Sequence, residues 1–146
     1  MFKVTIKQID PPQEEEILVK CHEITDEVLS VVDKLKSGES YILASRDGET
    51  FRIPAKDVFY AESVDNKTFI YLKQSVLDTK LKLYEIEEQS RGTKLFRCSK
   101  SMIVNIAKIR SVTSSVNGRL EAKLLNGEVV IISRQYVSAF KKKIGM

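Results

Sequence analysis

Beyond residue 54, turn-forming residues divide the sequence into short stretches in which apolar and polar side chains alternate. Alternation with a period of two is typical of strands that bury one face, and stretches this short cannot form long helices. We predict strands at 58–64, 68–72, 76–80, 95–98, 108–114, 119–125 and 128–133. Asp65-Asn66-Lys67 and Asn126-Gly127 are predicted turns between two pairs of these strands. The fold is therefore predicted to be mainly β.

Only a few short helices fit between these strands. One is predicted over 81–89, with Gly92 just past its end, and another over 133–143, with Ser133 as its capping residue. The segment 101–106 is predicted to be a turn of helix or irregular. Because no long regular helix is expected, contacts with a partner have to come from loops or strands.

The first 53 residues follow a different pattern. The elements predicted there are strands at 2–9 and 16–22, a helix over 26–37 and a hairpin over 41–53. Thr25 or Asp26 can cap the helix and Gly38 can end it, while Asp47-Gly48 suits the positive dihedral angles of a tight hairpin turn. This part is therefore predicted to be a small α+β segment.

Charge divides the chain at the same place. Residues 1–53 hold seven Lys/Arg against eleven Asp/Glu, a net of −4, whereas residues 54–146 hold seventeen against nine, a net of +8. Such an asymmetry indicates a polyanionic partner for the basic part, and the alternative is a chance scatter of charges on a solvated surface. We predict two units, an accessory segment 1–53 and a binding domain 54–146.

Several other classes of protein are not favoured. No apolar run reaches the ~18 residues of a membrane-spanning helix, and no signal-peptide core follows the first residues, so we expect a cytoplasmic protein. Cys21 and Cys98 match no metal or redox spacing and are expected to be small buried hydrophobic residues. His22 is the only histidine, which leaves no identifiable general base or transition-metal site. We expect neither catalysis nor a cofactor or metal.

The basic part carries the side chains that nucleic-acid recognition requires. Arginine and lysine donate to phosphates and guanine edges, and asparagine can pair with adenine through two hydrogen bonds. Such residues alternate with apolar ones that anchor them: Arg97, Lys100, Asn105, Lys108, Arg110, Arg119 and Arg134. Composition alone does not separate DNA from RNA, or either of them from an acidic protein.

Four motifs in this part resemble those of the LytTR DNA-binding domain. Residues 95–105, Leu-Phe-Arg-Cys-Ser-Lys-Ser-Met-Ile-Val-Asn, are similar to its signature, in which Phe-x-Arg-x-His-Arg-Ser precedes an apolar run and an asparagine. Residues 58–63, Val-Phe-Tyr-Ala-Glu-Ser, resemble the family's opening strand. Residues 125–127 resemble its Asn-Gly turn, and residues 133–136 its Ser-Arg-x-Tyr ending. The motifs occur in order and cover about two thirds of the chain, residues 54–146.

The resemblance implies an elongated, mostly β domain whose loops enter successive major grooves, as in bacterial transcription regulators. It implies that Asn105 and Arg134 read bases, and that Asp65-Asn66-Lys67 is the first DNA-contacting loop. The alternatives are that Asn105 caps local backbone and that Arg134 is a surface arginine at a helix start. The usual His-Arg pair is Ser99-Lys100 here, which keeps one positive charge but loses the imidazole and the fork of arginine.

Further contacts, from DNA-binding loops or to phosphates, are predicted for Asn66, Lys67, Arg97, Lys100, Ser101, Arg119, Lys141, Lys142 and Lys143. The last three residues form a run of flexible point charges, which suits phosphate attraction more than base reading. Their alternative role is to stabilise the end of the predicted C-terminal helix.

We therefore expect a transcription regulator, in a stand-alone form, that binds double-stranded DNA as a homodimer. Residues 1–53 are too few for the phosphorylation receiver domain that many members of this family carry. They are assigned to dimerisation, to ligand sensing or to packing on a membrane-bound partner. The alternative function is an RNA-binding or ribosome-associated protein, which competition between duplex DNA and structured RNA would distinguish.

Overall fold

The structure is a computed structural model that describes residues 2–37 and 40–146. Within these residues, ten strands form two antiparallel sheets, and three α-helices accompany them. The prediction of a mainly β fold with a few short helices is confirmed. No helix in the described part of the chain is long and apolar enough to span a membrane.

The first sheet contains seven strands. They are β1 (Tyr41–Arg46), β2 (Glu49–Pro54), β3 (Tyr60–Val64), β4 (Lys67–Tyr71), β5 (Val76–Thr79), β6 (Leu95–Ser99) and β7 (Met102–Asn105). Their spatial order is β2-β1-β5-β4-β3-β7-β6, and every neighbouring pair is antiparallel. Helix α2 (Leu83–Gln89) connects β5 to β6 and buries Leu83 and Ile86. The predicted helix at this position is thereby confirmed.

Two hairpin turns of the first sheet have the backbone geometry that their sequences predict. Asp47 and Gly48 have φ angles of 51° and 79°, and Asp65 and Asn66 have φ angles of 50° and 65°. Two successive residues with positive φ match the right-handed twist of the strands that flank a tight hairpin. The residues of both turns therefore suit the backbone angles that the turns adopt.

The hairpin β1–β2 belongs to the same sheet as the strands that follow residue 54. Ser45 of β1 pairs with Asp78 of β5, and Ile42 and Ile53 are buried in the same apolar cluster as residues from β3, β4 and β5. The boundary predicted after residue 53 therefore passes through a continuous sheet.

Strand β7 corrects the prediction of a helical turn or irregular segment over 101–106. It pairs with β6 on one side and β3 on the other, and Ile103 and Val104 are fully buried. A strand covered on both faces has a continuous apolar run instead of an alternating one. The sequence Met-Ile-Val-Asn lacks the period of two for this reason.

The second sheet contains three strands and packs with the last helix. Its strands are β8 (Ile109–Ser114), β9 (Leu120–Leu124) and β10 (Val129–Ile132), in the order β10-β9-β8. Helix α3 (Arg134–Ile144) follows directly and buries Phe140. The ring of Phe140 lies 5.8 Å from that of Phe96 on β6, measured between centroids. Because one apolar cluster contains residues of both sheets and of α3, the start of α3 is held against the first sheet.

The segment before the first helix contradicts the prediction of two strands. Residues 2–25 contain no strand or helix, and Val4, Ile6, Ile17, Leu18 and Ile24 are 68–93% exposed. An alternating stretch becomes a strand only when another strand pairs with it, and none in the described residues does so. The expectation that Cys21 is buried was also wrong, because Cys21 is exposed.

Helix α1 (Asp26–Ser37) is confirmed at its predicted place. The hydroxyl oxygen of Thr25 accepts a hydrogen bond from the backbone N–H of Val28 at 3.3 Å, as the predicted cap requires. Val28 is buried, but Leu29 and Leu35 of the same apolar stripe are 43% and 49% exposed. The predicted stop at Gly38 lies outside the described residues.

Candidate nucleic-acid interface

An open groove of about 730 Å³ lies where β6 and β7 meet the second sheet and the start of α3. Three chain segments line it: the β6–β7 turn at 99–101, the turn between β8 and β9 at 117–119, and residues 133–135. Ile131 of β10 contributes the remaining lining side chain. The groove is thus built from loops and helix ends on a rigid β frame.

The groove is positively charged. Lys100, Arg119 and Arg134 line it and are exposed, and its other lining residues are serine, asparagine, glutamine and isoleucine. Three cations with no acidic residue among the lining side chains favour an anionic partner, because their fields add inside a concave surface. Of the residues that the sequence predicted to contact DNA, Lys100, Ser101, Arg119 and Arg134 are brought together here.

Backbone hydrogen bonds fix the β6–β7 turn from two directions. The pairing of β6 with β7 shifts register between Arg97 and Ser99, which produces a β-bulge at Cys98. The Cys98 carbonyl accepts a hydrogen bond from the N–H of Ser133 at 2.8 Å, and the Ser101 carbonyl accepts one from the N–H of Ser63 at 2.8 Å. The turn is therefore tied both to the start of α3 and to β3.

Cys98 itself is a structural residue, as its sequence context predicted. It is completely buried, and burial raises the pKa of its thiol to about 12. The thiol therefore stays protonated near neutral pH.

Arg134 packs its aliphatic stem against the turn between β8 and β9. Asn117 and Gly118 both have positive φ, at 59° and 74°. A Cβ added at Gly118 would lie 3.1 Å from Cδ of Arg134 and 3.2 Å from its Cγ. Glycine suits the positive φ at this position, and a Cβ there would make the arginine stem shift by a few tenths of an ångström. The turn limits the directions that the Arg134 guanidinium can take.

The β3–β4 turn lies beside the groove without lining it. Strand β3 pairs with β4 and with β7, so the β3–β4 and β6–β7 turns emerge at the same end of the first sheet. Asn66 and Lys67 are exposed at this end. They are available for contacts next to those of the groove.

The burial of Asn105 contradicts the prediction that this residue reads bases. It is 1% exposed, and its Nδ2 donates to the carbonyls of Val58 at 2.7 Å and Lys56 at 3.4 Å. Its Oδ1 accepts from the N–H of Ala107 at 2.9 Å and caps a short 3₁₀ turn. The amide is therefore used by the backbone on both sides, which supports the alternative of a local capping residue.

Arg97 also differs from its predicted role as a DNA-contacting residue. Its Nε donates to the Ser99 carbonyl at 2.7 Å, its Nη2 donates to the Lys100 carbonyl at 2.5 Å, and its Nη1 pairs with the Glu87 carboxylate. Only 21% of its side chain is exposed. The guanidinium lies behind the β6–β7 turn and is not among the residues that line the groove.

The three C-terminal lysines lie outside the groove. Lys141, Lys142 and Lys143 form the basic last turn of α3 and are exposed. At 1.5 Å per residue, they are about 10–14 Å along the helix from Arg134. Their charges can therefore act only on a part of a partner that extends beyond the groove.

Sequence reasoning missed Asn117 and Gln135 as groove residues. Asn117-Gly118 is a turn-forming pair of the kind that marked the other loops, so this signal was present in the sequence. Gln135 follows Arg134 in the helix and carries no distinguishing pattern of its own.

Comparisons with known proteins agree with this geometry. A family model described as the LytTr DNA-binding domain matches residues 48–145. The LytTr DNA-binding domain of a putative methyl-accepting/DNA response regulator from Bacillus cereus superimposes with a TM-score of 0.69 and 27% identity, covering 73% of this chain and 98% of that domain.

Two longer proteins are similar over almost the whole chain. The sensory transduction protein LytT of Enterococcus faecalis is 26% identical over 152 residues, which cover 99% of this chain and 62% of LytT. The transcriptional regulatory protein BtsR of Escherichia coli is 25% identical over 147 residues, which cover 99% of this chain and 60% of BtsR. The chain thus spans about three fifths of the length of these relatives.

The burial of Asn105 predicts that its substitution changes the stability of the fold and not the base preference in DNA binding. Replacing Asn105 by Ala should lower the free energy of unfolding by about 1–3 kcal/mol, because it removes the partner of the buried Val58 carbonyl and the cap of the Ala107 N–H. Urea unfolding measures this loss. The folded variant should keep the base preference of the unchanged chain, and a relaxed preference at one or two base pairs without loss of stability would contradict the structural role.

Proposed function

Since the chain belongs to the LytTr DNA-binding domain family, we propose that it regulates transcription by binding double-stranded DNA in a sequence-specific way. The observation that carries this proposal is the groove at 99–101, 117–119 and 133–135, with its three cations and no acidic lining residue. Relatives named as transcriptional regulatory or sensory transduction proteins support the regulatory part. No relative reported above favours the RNA-binding alternative.

Within the groove, Arg134 is the base-reading residue. Its guanidinium can donate two parallel hydrogen bonds to the O6 and N7 atoms of guanine in the major groove. Its stem is supported by Gly118 and its backbone lies at the well-anchored start of α3. A side chain held in this way loses little conformational freedom when it binds, which favours discrimination between bases.

The other exposed residues of the interface contact the DNA backbone. Lys100 and Arg119 supply charge from two sides of the groove, and Ser101 supplies a hydroxyl donor. Asn66 and Lys67 extend the contact from the neighbouring β3–β4 turn. These contacts fix the register of the protein on the duplex, so that Arg134 meets a defined base pair.

The N-terminal segment is the accessory part and forms a homodimer with a second copy of the chain. Its support is the exposure of Val4 and Ile6, at 85% and 93%, together with that of Ile17 and Leu18. Apolar side chains exposed to this extent favour contact with another protein surface. A membrane-bound regulatory partner is the alternative occupant. The protein acts in the cytoplasm, by binding alone, without catalysis or a cofactor.

Substitution of Arg134 tests the base-reading role. Arg134→Ala should cost about 1–3 kcal/mol on the duplex selected by the unchanged chain from a random pool, and relax preference at one or two base pairs. Lys100→Gln is the matched control, because loss of a phosphate contact weakens every duplex similarly and flattens the salt slope by about 0.9. Equal losses for Arg134→Ala on selected and random duplexes would make it another phosphate contact.

Replacement of Lys141, Lys142 and Lys143 together by glutamine tests their contribution to phosphate attraction. The slope of log K against log salt should flatten by about one to three units, because each neutralised phosphate contributes about −0.9. Binding should weaken to a similar extent on all duplexes, and the ranking of sites should not change. An unchanged slope in a normally folded variant would leave only the helix-end role.

The dimer proposal predicts a specific effect of charge in the N-terminal segment. Ile6→Glu should raise the dimer dissociation constant by about tenfold or more, since it places a charge in an apolar contact. Sedimentation equilibrium measures this constant, and Tyr84→Glu on α2, where Tyr84 is 65% exposed, is the control. A chain that is monomeric without any substitution would refute the proposal.

A further inference from the structure

Arg97 holds both peptide groups that flank Lys100. The Ser99 carbonyl belongs to the peptide plane before the Lys100 Cα, and the Lys100 carbonyl belongs to the plane after it. Arg97 donates to both oxygens, at 2.7 Å and 2.5 Å. Because each peptide group is planar, fixing these two planes fixes both backbone dihedral angles of Lys100. The direction in which the Lys100 side chain leaves the turn is set as a consequence.

Glu87 in turn fixes the orientation of the Arg97 guanidinium. Its carboxylate on α2 pairs with Nη1 of Arg97, so each of the three guanidinium nitrogens has a partner within the protein. The side chains are 21% and 42% exposed, and an ion pair with this exposure contributes little to stability. Its main effect is orientation, because the guanidinium is a rigid plane whose donors diverge in fixed directions.

We propose that Arg97, oriented by Glu87, is a positioning residue for DNA binding that directs Lys100 into the groove without contacting DNA itself. This inference rests on the proposed role of Lys100 as a phosphate contact in the groove. It replaces the sequence-based prediction that Arg97 meets DNA directly.

Two substitutions give opposite results under the two roles of Arg97. A direct phosphate contact depends mainly on charge, so Arg97→Lys would keep the salt slope and most of the affinity. A positioning residue depends on the planar fork, which lysine lacks, so the same substitution should misplace Lys100. Similarly, Glu87→Ala removes a negative charge, which tightens DNA binding if charge alone matters and weakens it if orientation matters.

The experiment uses the full chain and two duplexes of equal length, one selected by the unchanged chain from a random pool and one of random sequence. The variants are Arg97→Lys, Glu87→Ala, Lys100→Gln and the double variant Arg97→Lys with Lys100→Gln. Glu88→Ala is the matched control, since Glu88 is exposed on the same helix and carries the same charge. Fluorescence anisotropy at several salt concentrations gives the affinity and the salt slope, and thermal melting monitors the fold.

We expect Arg97→Lys to flatten the salt slope by about 0.9, as Lys100→Gln does, although the net charge is unchanged. The two substitutions together should have no more effect than Lys100→Gln alone, because both remove the same contact. Glu87→Ala should weaken binding and flatten the slope in the same direction, whereas Glu88→Ala should leave the slope unchanged and tighten binding slightly.

Several results would overturn the proposal. If Arg97→Lys left the salt slope unchanged and Glu87→Ala tightened DNA binding as Glu88→Ala does, Arg97 would be a direct DNA contact. Additive losses in the double variant would show that Arg97 acts on the fold in general and not through Lys100. If Lys100→Gln left the affinity for both duplexes unchanged, the assignment of the groove to DNA binding would fail, and the positioning role of Arg97 would fail with it. If Arg97→Lys did not fold, Glu87→Ala, at the more exposed partner, would decide alone.

Discussion

A backbone hydrogen bond at the β-bulge of Cys98 connects the first sheet to the start of α3, and two segments of the interface meet there. At the bulge, the Cys98 carbonyl accepts a hydrogen bond from the N–H of Ser133 at 2.8 Å. This backbone bond joins the turn that carries Lys100 to the start of the helix that carries Arg134. The apolar cluster beneath it, with Cys98 and Phe140 fully buried, keeps the two sheets from moving apart.

Positive side chains and well-anchored backbone occur together at the groove. The basic part of the chain carries a net charge of +8, and three of its cations line one concave surface where the loops meet. Long-range attraction would bring a polyanion to this face, and the fixed backbone of the loops would then determine which groups it meets.

The sequence predicted those elements whose geometry is local. The tight turns at Asp47-Gly48 and Asp65-Asn66, helix α2 and the capped helix α1 all follow from nearby residues. Strand β7 could not be predicted in this way, because its continuous apolar run results from burial of both faces, with Ile103 in one apolar cluster and Val104 in the other. The alternation in residues 2–9 predicted a strand, but a strand needs a partner that the sequence pattern does not identify.

The sequence predicted only part of the candidate site, because some of its side chains bind backbone groups that long-range pairing brings close. Residue types predicted that Lys100, Arg119 and Arg134 contact DNA, and the structure places the three side chains in one groove. Residue types could not show that the amide of Asn105 and the guanidinium of Arg97 donate to backbone carbonyls, because these contacts depend on how the strands pair. The most direct test of the interface is to map backbone amide chemical shifts while a selected duplex is added. Our account predicts the largest changes at 99–101, 117–119 and 133–135, and changes confined to α1 and the β1–β2 hairpin would contradict it.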